Sequence, residues 1–428
     1  MRLASTSYLR SISSAATGEV VWLGITTSVK WVYRAQERLE RVLRDSGADM
    51  VYADRFQVIN GEVIEAPTIA YQAGSLRDDF DFGEVLLFRR EAFERVVEAL
   101  PEYEYAGLYA LRLAMQKIVH VPEFCYYASM EQSGESQFDY VNPANRAVQI
   151  EMEQAVTAYL KRAGAFIDYR ALKNFRSDSK EGKPTASVII PCKNRVQTIA
   201  DAVHSALKQQ VREPYSFNVI VVDDNSTDGT KEVLAEIKDE RLIVIHQDKT
   251  YHAIGGNWNM AIHDPRCGQY AIQLDSDDTY SGPDTVQQFI DKFEEGHYGM
   301  VIGSYQLTDI DGNPLPPGKI DHAEWTDENG MNNALRINGL GAPRGFNTEL
   351  LRSIDFPTTK YGEDYAVGLR ISREYKIGRI WDVVYNCRRW SNNSDANCTI
   401  EQLNRNNRYK DWIRTIEFEA RLQRNACQ

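Results

Sequence analysis

Long apolar runs are what this chain of 428 residues most plainly lacks. No stretch approaches the roughly 20 consecutive apolar residues that cross a bilayer as a helix, so no transmembrane segment is expected. The opening run Met1-Arg-Leu-Ala-Ser-Thr-Ser-Tyr-Leu-Arg10 has basic residues but no sustained apolar core, and no signal peptide is expected there. Basic tracts are missing too. With 49 Lys and Arg against 61 Asp and Glu, the formal net charge is −12, which argues against nucleic acid as a partner. Cysteine is sparse, with 6 residues at 125, 192, 267, 387, 398 and 427 and no Cys-x-x-Cys pair. That usage fits reduced thiols, so a cytoplasmic location is expected and the sequons Asn392-Asn-Ser394 and Asn397-Cys-Thr399 carry no weight. His246, His252 and His263 lack the i, i+4 spacing of a metal site. The length suffices for two domains.

Against those absences stand two acidic strand ends. The run Tyr270-Ala-Ile-Gln-Leu-Asp-Ser-Asp-Asp278 begins apolar and closes on Asp275, Asp277 and Asp278. It reads as a buried strand emerging at the carboxyl edge of a sheet. Like charges set this close repel unless a cation sits among them, and hard oxygen ligands suit Mn2+ or Mg2+. Upstream, Phe217-Asn-Val-Ile-Val-Val-Asp-Asp-Asn-Ser-Thr-Asp-Gly229 runs into Asp223, Asp224 and Asn225. Taken alone, those three are more simply an Asx-type cap for the next helix. A third strand, Ala186-Ser-Val-Ile-Ile-Pro-Cys-Lys-Asn194, feeds a helix over about residues 196–210. The order is strand, helix, acidic strand end, helix, strand, helix, acidic strand end. It is that of an open α/β sheet, whose ligands bind at the carboxyl ends of its strands.

The motifs Ser187-Val-Ile-Ile-Pro-Cys-Lys-Asn194, Val221-Val-Asp-Asp-Asn-Ser-Thr-Asp-Gly-Thr230, Gly255-Gly-Asn-Trp-Asn-Met-Ala261, Asp275-Ser-Asp-Asp278 and Gly362-Glu-Asp364 follow one another in this order. Over about residues 185–390 the chain resembles family 2 of the nucleotide-sugar glycosyltransferases. The resemblance implies the GT-A fold, a Rossmann-like mixed α/β sheet. It implies inverting transfer of a sugar from a nucleotide-sugar donor, a UDP-sugar by family frequency, to a hydroxyl of a saccharide or glycoconjugate acceptor in polysaccharide or glycoconjugate synthesis. Asp224 would accept from the uracil N–H, with Pro191, Asn194, Asp223, Asn225 and Asp275 completing the nucleotide site. Asp277 would be the principal ligand of Mn2+ or Mg2+, supported by Asp275 and Asp278, with the cation countering charge on the leaving diphosphate. Asp364 would be the base that removes the acceptor proton, with Glu363 beside it. Outside that frame, Glu363 and Asp364 read as first-turn acids facing a helix dipole.

Arg388 and Arg389 follow a strand expected over Ile380-Trp-Asp-Val-Val-Tyr-Asn386. They suit bidentate contacts to a diphosphate, and a solvated surface pair is the even alternative. The Gly-rich stretch 338–346 is either an acceptor-side loop or a plain tight turn before a helix at Thr348–Ile354, and sugar specificity is expected in loops such as 309–333. Two other classes compete. A sugar nucleotidyltransferase would carry a Gly-rich basic loop after its first strand, where this chain has Pro191-Cys-Lys-Asn-Arg195. A non-catalytic carbohydrate-binding or scaffold protein would have no call for Asp275, Asp277 and Asp364.

The first part of the chain reads as a faded half-copy of the second. Residues 18–54 align with residues 268–304 at an offset of 250, and farther on the offset is 258, so that Gly83, Phe88, Glu91, Tyr103, Leu111 and Arg112 fall on Gly341, Phe346, Glu349, Tyr361, Leu369 and Arg370. Asp275, Asp277 and Asp364 correspond to Ile25, Thr27 and Ala106, so this copy lacks the metal carboxylates and the base, and it has too little chain before Gly18 for nucleotide-binding strands. The expected organisation is a degenerate GT-A-like half-domain over 1–132, a helical linker over 133–184, the catalytic domain over 185–390 and a C-terminal helical extension over 391–428. The half-domain would serve packing, homodimer formation or acceptor binding, and its uncovered sheet edge needs a partner. The C-terminal helix, over 400–426 with Leu403, Tyr409, Trp412, Ile413, Ile416, Phe418 and Leu422 available for packing, is expected to dock on the catalytic domain; its acids weaken a peripheral membrane role.

Overall fold

A computed structural model describes residues 4–24, 29–129, 145–177, 182–247, 253–337, 340–390, 393 and 398–427. Ile25, Thr27, His252, Asn392, Asn397, parts of the expected linker and the start of the Gly-rich stretch lie outside the described residues. The chain groups into two units. One comprises Met1–Phe166, Leu335–Asn338 and Cys398–Gln428; the other comprises Ile167–Ala334 and Gly339–Asn397.

In the first unit, helix α1 (Thr6–Ala15) is followed by β1 (Val20–Gly24), β2 (Val29–Trp31), α2 (Ala35–Ser46), β3 (Met50–Ile59), β4 (Glu62–Ala66), β5 (Val85–Arg89), α3 (Arg90–Ala99), α4 (Gly107–Ala114), β6 (Ile118–Ser129) and α5 (Arg146–Ala163). Its sheet runs β1-β5-β3-β6-β2, with β4 on β3. Among its described strands β3 and β6 pair in parallel and the other pairs are antiparallel. One core gathers Leu39 and Leu43 from α2 with Val51, Leu87 and Tyr126 from the sheet.

The second unit begins with β7 (Ala186–Cys192), whose seven residues are all buried, the pattern of a strand covered on both faces. There follow α6 (Ile199–Leu207), β8 (Phe217–Asp223), α7 (Thr230–Glu236), β9 (Leu242–His246), α8 (Ala253–His263), β10 (Tyr270–Gln273), β11 (Thr279–Tyr280), α9 (Thr285–Gly296), β12 (Met300–Asp309), β13 (Pro314–Ile320), α10 (Gly330–Asn333), β14 (Arg344–Asn347), α11 (Thr348–Ile354), α12 (Glu363–Ser372) and β15 (Ile377–Arg389). The strand order is β11-β15-β12-β14-β10-β7-β8-β9, with β13 on β12. β7, β8, β9 and β10 are parallel, so the ends of β7, β8 and β10 open on one edge.

The run β10-β14-β12-β15-β11 with β13 repeats the order and pairing senses of β1-β5-β3-β6-β2 with β4. The registers coincide as well. Val21 faces Phe88 as Ala271 faces Phe346. Met50 pairs with Ile118 as Met300 pairs with Ile377, and after matching register shifts Arg55 faces Tyr126 as Tyr305 faces Tyr385. α2 and α9 are each 12 residues long. β7, β8 and β9 have no counterpart among the described residues of the first sheet.

The last helix, α13 (Ile400–Ala426), groups with the first unit, which corrects the expectation that it docks on the catalytic domain. Its buried face carries charges beside the apolar Ile413 and Phe418, the latter stacked on Tyr159. Leu403, Trp412 and Ile416 are exposed, whereas Asp411, Arg414 and Arg421 are fully buried. Asp411 accepts from Arg77 Nε at 3.2 Å, Ser75 Oγ at 3.0 Å and Arg414 Nη1 at 2.9 Å. α5, expected within a separate linker, belongs to the same unit. Among the described residues no helix is long and apolar enough to cross a membrane. Replacing Asp411 with Ala removes the buried carboxylate that Arg77 and Arg414 share and is expected to lower unfolding free energy by about 3 kcal/mol, measured by urea titration. A loss below roughly 1 kcal/mol would show that the network is not what holds α13.

Candidate active site

The turns after β7 and β8 are laced together by side chains. Asp223 is fully buried, with its Oδ1 accepting from the Ser226 N–H at 3.1 Å and its Oδ2 lying 3.2 Å from His246 Nδ1. Asp224, one residue on, meets Lys193 Nζ at 3.0 Å. Asn194 and Asn225 hold φ of 52° and 54°, a left-handed conformation that Asn tolerates. The Asn194 N–H donates to Ser226 Oγ at 2.8 Å, its side-chain oxygen accepts from the Thr227 N–H at 2.9 Å, and Asn225 accepts from Lys231 Nζ at 3.1 Å. Pro191 is buried near the end of β7, past Ile189, the last β7 residue that β10 pairs.

The acidic loop after β10 is braced on several sides. Thr198 Oγ1 donates to the Ser276 carbonyl at 2.9 Å, tying it to the β7 turn. The Asp275 N–H donates to Tyr385 Oη at 3.0 Å, and Asp278 accepts from the Arg388 N–H at 2.7 Å. The Arg388 side chain is buried and donates to Asp201 at 3.0 Å. Arg389, half-buried, pairs with Asp309 at the end of β12. Asp277 Oδ2 lies 3.3 Å from Trp390 Nε1 and 3.4 Å from Asn393 Nδ2, with Arg195 Nε at 3.7 Å. Burial above all pushes the Asp275 carboxyl up, with the Asp277 charge adding to it and a hydrogen bond from Gln273 opposing. Burial, then Asp275 and Asp277, pushes Asp278 well up.

The second pair of acids opens α12, after Gly362 at φ 79°. Asp364 is ion-paired to Arg344 Nη2 at 2.6 Å. Arg344 Nε donates to Gln273 Oε1 at 3.1 Å, and Gln273 Nε2 donates to Asp275 Oδ1 at 2.9 Å. Three successive polar contacts therefore join the β10 acids to the α12 acids. Glu363 is buried, and burial first, then Asp364, pushes its carboxyl up to about 8. The glycine of the 255–261 motif has a steric reason: a Cβ on Gly255 would stand 1.9 Å from the Pro357 carbonyl oxygen and 3.3 Å from Glu363 Cβ. Only a helix without a side chain there can abut the segment that presents Glu363 and Asp364.

Arg344, Gln273, Arg195 and Tyr385 were not singled out from sequence. The available signal was one Arg in the Gly-rich stretch and another just after the β7 motif. Among the described residues no cluster of three or more His, Cys, Asp or Glu side chains forms a ready metal cage. The arrangement suits an ion held instead by one or two carboxylates, with substrate phosphates completing its shell. Burial first, and then mutual repulsion, lifts Asp275 and Asp278, and a divalent cation offsets both.

Residues 187–356 match the family model described as Glycosyl transferase family 2. The second unit carries a family 2 glycosyltransferase domain of GT-A fold. The putative teichuronic acid biosynthesis glycosyltransferase TuaG of Bacillus subtilis is 35% identical over 135 residues, 31% of this chain and 51% of that protein. Chondroitin synthase of Escherichia coli is 30% identical over 206 residues, 46% of this chain and 28% of that protein. The chain thus spans about half or less of the length of these curated relatives. S. aureus TarS 1-349 in complex with UDP-GlcNAc superposes at a TM-score of 0.43 with 22% identity over 55% of this chain and 72% of that one, a likeness too slight to build on.

Glu363 sets a pH dependence of stability. Between its ordinary value of 4.5 and about 8 the folded chain holds a proton that the unfolded chain releases. The stability this proton contributes is whole below the lower value and lost as pH rises through the upper. Glu363→Gln is therefore expected to raise Tm relative to the parent by at least ~2 °C more at about pH 8.5 than at about pH 5, measured by calorimetric melting. Equal shifts at both pH values would place the Glu363 titration in the ordinary range.

Proposed function

We propose that the chain is an inverting glycosyltransferase that moves a sugar from a nucleoside diphosphate donor, UDP-sugar first among them, to a hydroxyl of a saccharide or glycoconjugate acceptor. The observation that carries this is the relay from Asp364 through Arg344 and Gln273 to Asp275, which brings a carboxylate base and the donor-side carboxylates to one sheet edge. Asp364 takes the acceptor proton as the acceptor oxygen attacks the anomeric carbon and the bond to the diphosphate breaks. Attack opposite the leaving group inverts that centre. Arg344 holds the Asp364 carboxylate in position; Asp224, partnered by Lys193, faces the base of the nucleotide; the turns holding Pro191, Asn194, Asp223 and Asn225 shape that pocket; Arg389 adds positive charge toward the diphosphate. Mn2+ or Mg2+, when bound by Asp277 with Asp275 and Asp278 in support, supplies positive charge against the leaving diphosphate. The likeness to TuaG and to chondroitin synthase supports polysaccharide synthesis as the setting, and the cysteine usage supports a cytoplasmic one.

The first unit fits the role of a non-catalytic half-copy. Its sheet follows the acceptor-side strands in order and register, yet Leu86 stands where the second unit has Arg344, and Ala106 where it has Asp364. The chain should therefore bind one nucleotide, not two. Calorimetric titration with UDP, GDP and dTDP, each with Mn2+ and with EDTA, tests both points. Metal-dependent binding of one nucleotide at about one per chain is expected, and a stoichiometry near two would overturn the half-copy reading.

Asp364→Asn is expected to lower kcat by roughly 10²–10⁴ while leaving nucleotide affinity unchanged. Strong residual transfer would exclude Asp364 as the base. Asp277→Ala should weaken nucleotide binding in Mn2+ far more than in EDTA, and equal loss in both would remove it from the metal site.

A further inference from the structure

A second depression lies in the same unit, away from the acidic edge. It encloses about 260 Å³ and is lined by Lys292, Tyr298, Trp325, Asp327, Glu328, Arg379 and Trp381, among others. Three of its walls are aromatic rings, and two of these stand in space that glycines leave free. A Cβ on Gly296 or Gly378 would come within 2.1 Å or 2.5 Å of the Tyr298 ring, and one on Gly330 within 2.7 Å of the Trp325 indole. Trp381 has a different origin. Ile302 pairs with Arg379 but Ser304 already pairs with Val383, so the residues between loop out of β15. A bulge of this kind re-aims side chains, and Trp381 is left 52% exposed on a strand otherwise largely buried.

The polar lining is built as firmly. Arg379 is buried; its guanidinium sits 4.6 Å from the Trp381 ring centre and donates to the carbonyls of His322, at 2.9 Å, and Asp321. Those bonds pin the loop that carries Trp325, Asp327 and Glu328 to β15. Arg379 Nε is itself buried without a hydrogen-bond partner. Two cations and two carboxylates line one small space, and Lys292 Nζ is already paired with Glu295 at 2.9 Å, so the cleft offers an anion no net attraction. A phosphate would meet Asp327 and Glu328, and an aliphatic ligand would strand all four charges. A neutral polyhydroxylated ring suits both halves of the lining. Its C–H face packs on indole or phenol, its hydroxyls donate to the carboxylates, and its oxygens accept from Lys292 and Arg379.

We propose that this cleft is a saccharide-binding subsite, which holds a distal segment of the acceptor while transfer takes place at the acidic edge. The second half of that statement rests on the proposed transferase activity; sugar binding itself does not. The separation can be read from the sheet. Arg379 faces Ile302, whose other neighbour in the sheet is Arg344, the partner of Asp364, so the cleft begins two strand spacings, roughly 10 Å, from the residue that holds the proposed base. A ligand reaching from the cleft to that base is more than one sugar long.

The test uses the full chain with neutral probes: the hexamers of β-1,4-glucose, α-1,4-glucose and β-1,4-N-acetylglucosamine, followed by saturation-transfer NMR without nucleotide. Binding of at least one hexamer is expected, weakened about tenfold by Trp381→Ala and by Asp327→Ala, with UDP affinity in Mn2+ unchanged in both variants. Both side chains are exposed, so folding is not at stake, and retained UDP binding checks it. No binding of any hexamer by the parent chain, or binding that both variants keep, overturns the proposal. Hexamer binding that Trp381→Ala removes, in a chain that binds no nucleotide, would sink the transferase reading and leave the subsite standing.

Discussion

Mutual repulsion among carboxylates gathered at one end of the second sheet is the constraint to which the surrounding structure answers. Asp275, Asp277 and Asp278 leave β10 together, and Glu363 and Asp364 begin α12 beside them. Nothing in an apolar sheet stabilises such a group. Arg344, Arg195 and the backbone of Arg388 come from three separate parts of the chain to meet it, and three of the acids are still pushed toward their protonated forms. A site left under this much electrostatic tension is prepared for an incoming cation and for proton transfer. The rigid parts of the fold, the all-buried β7 and the Gly255 contact with the Pro357 carbonyl, hold the tension in place rather than letting the loops relax away from it.

The repeated half-sheet shows what remains when that constraint is lifted. Register, pairing sense and even the shift in the central parallel pair are common to both units, so they are properties of packing. The charged residues are not common. With Leu86 and Ala106 at the positions of Arg344 and Asp364, the first sheet has neither the acids nor the cations that would balance them. Its buried charges, Asp54 beside His120, Arg55 beside Glu84 and Asp411 beside Arg77 and Arg414, are instead met by protein groups.

Much of the frame was legible because apolar runs such as 186–192, 217–223 and 270–274 end on polar residues, and the eye follows one into the other. The acids of the candidate site were visible for the same reason. Arg344 and Tyr385 were not, because each meets them from a strand whose neighbours are known only once the sheet is assembled, and Gln273, on β10 itself, gains its place in the relay only through Arg344. α13 was misplaced because its packing was read from apolar residues alone, whereas Leu403, Trp412 and Ile416 stay exposed and paired Asp and Arg side chains share the interior with Ile413 and Phe418. Trp381 was read as part of an even strand over 380–386, since no local pattern marks a bulge that depends on the register of β12.

The assignment of residues 335–338 to the first unit has a consequence for anyone who would divide this protein. The peptide chain passes from one unit to the other four times, at 166, 334, 338 and 397. Arg336, carried on that short excursion, ends fully buried with Asp78 and Gln149. A clean cut after residue 184 would therefore remove from the first unit both its last helix and this buried arginine. Spatial units here are not segments of sequence, and neither can be trimmed, swapped or inherited as a single contiguous block.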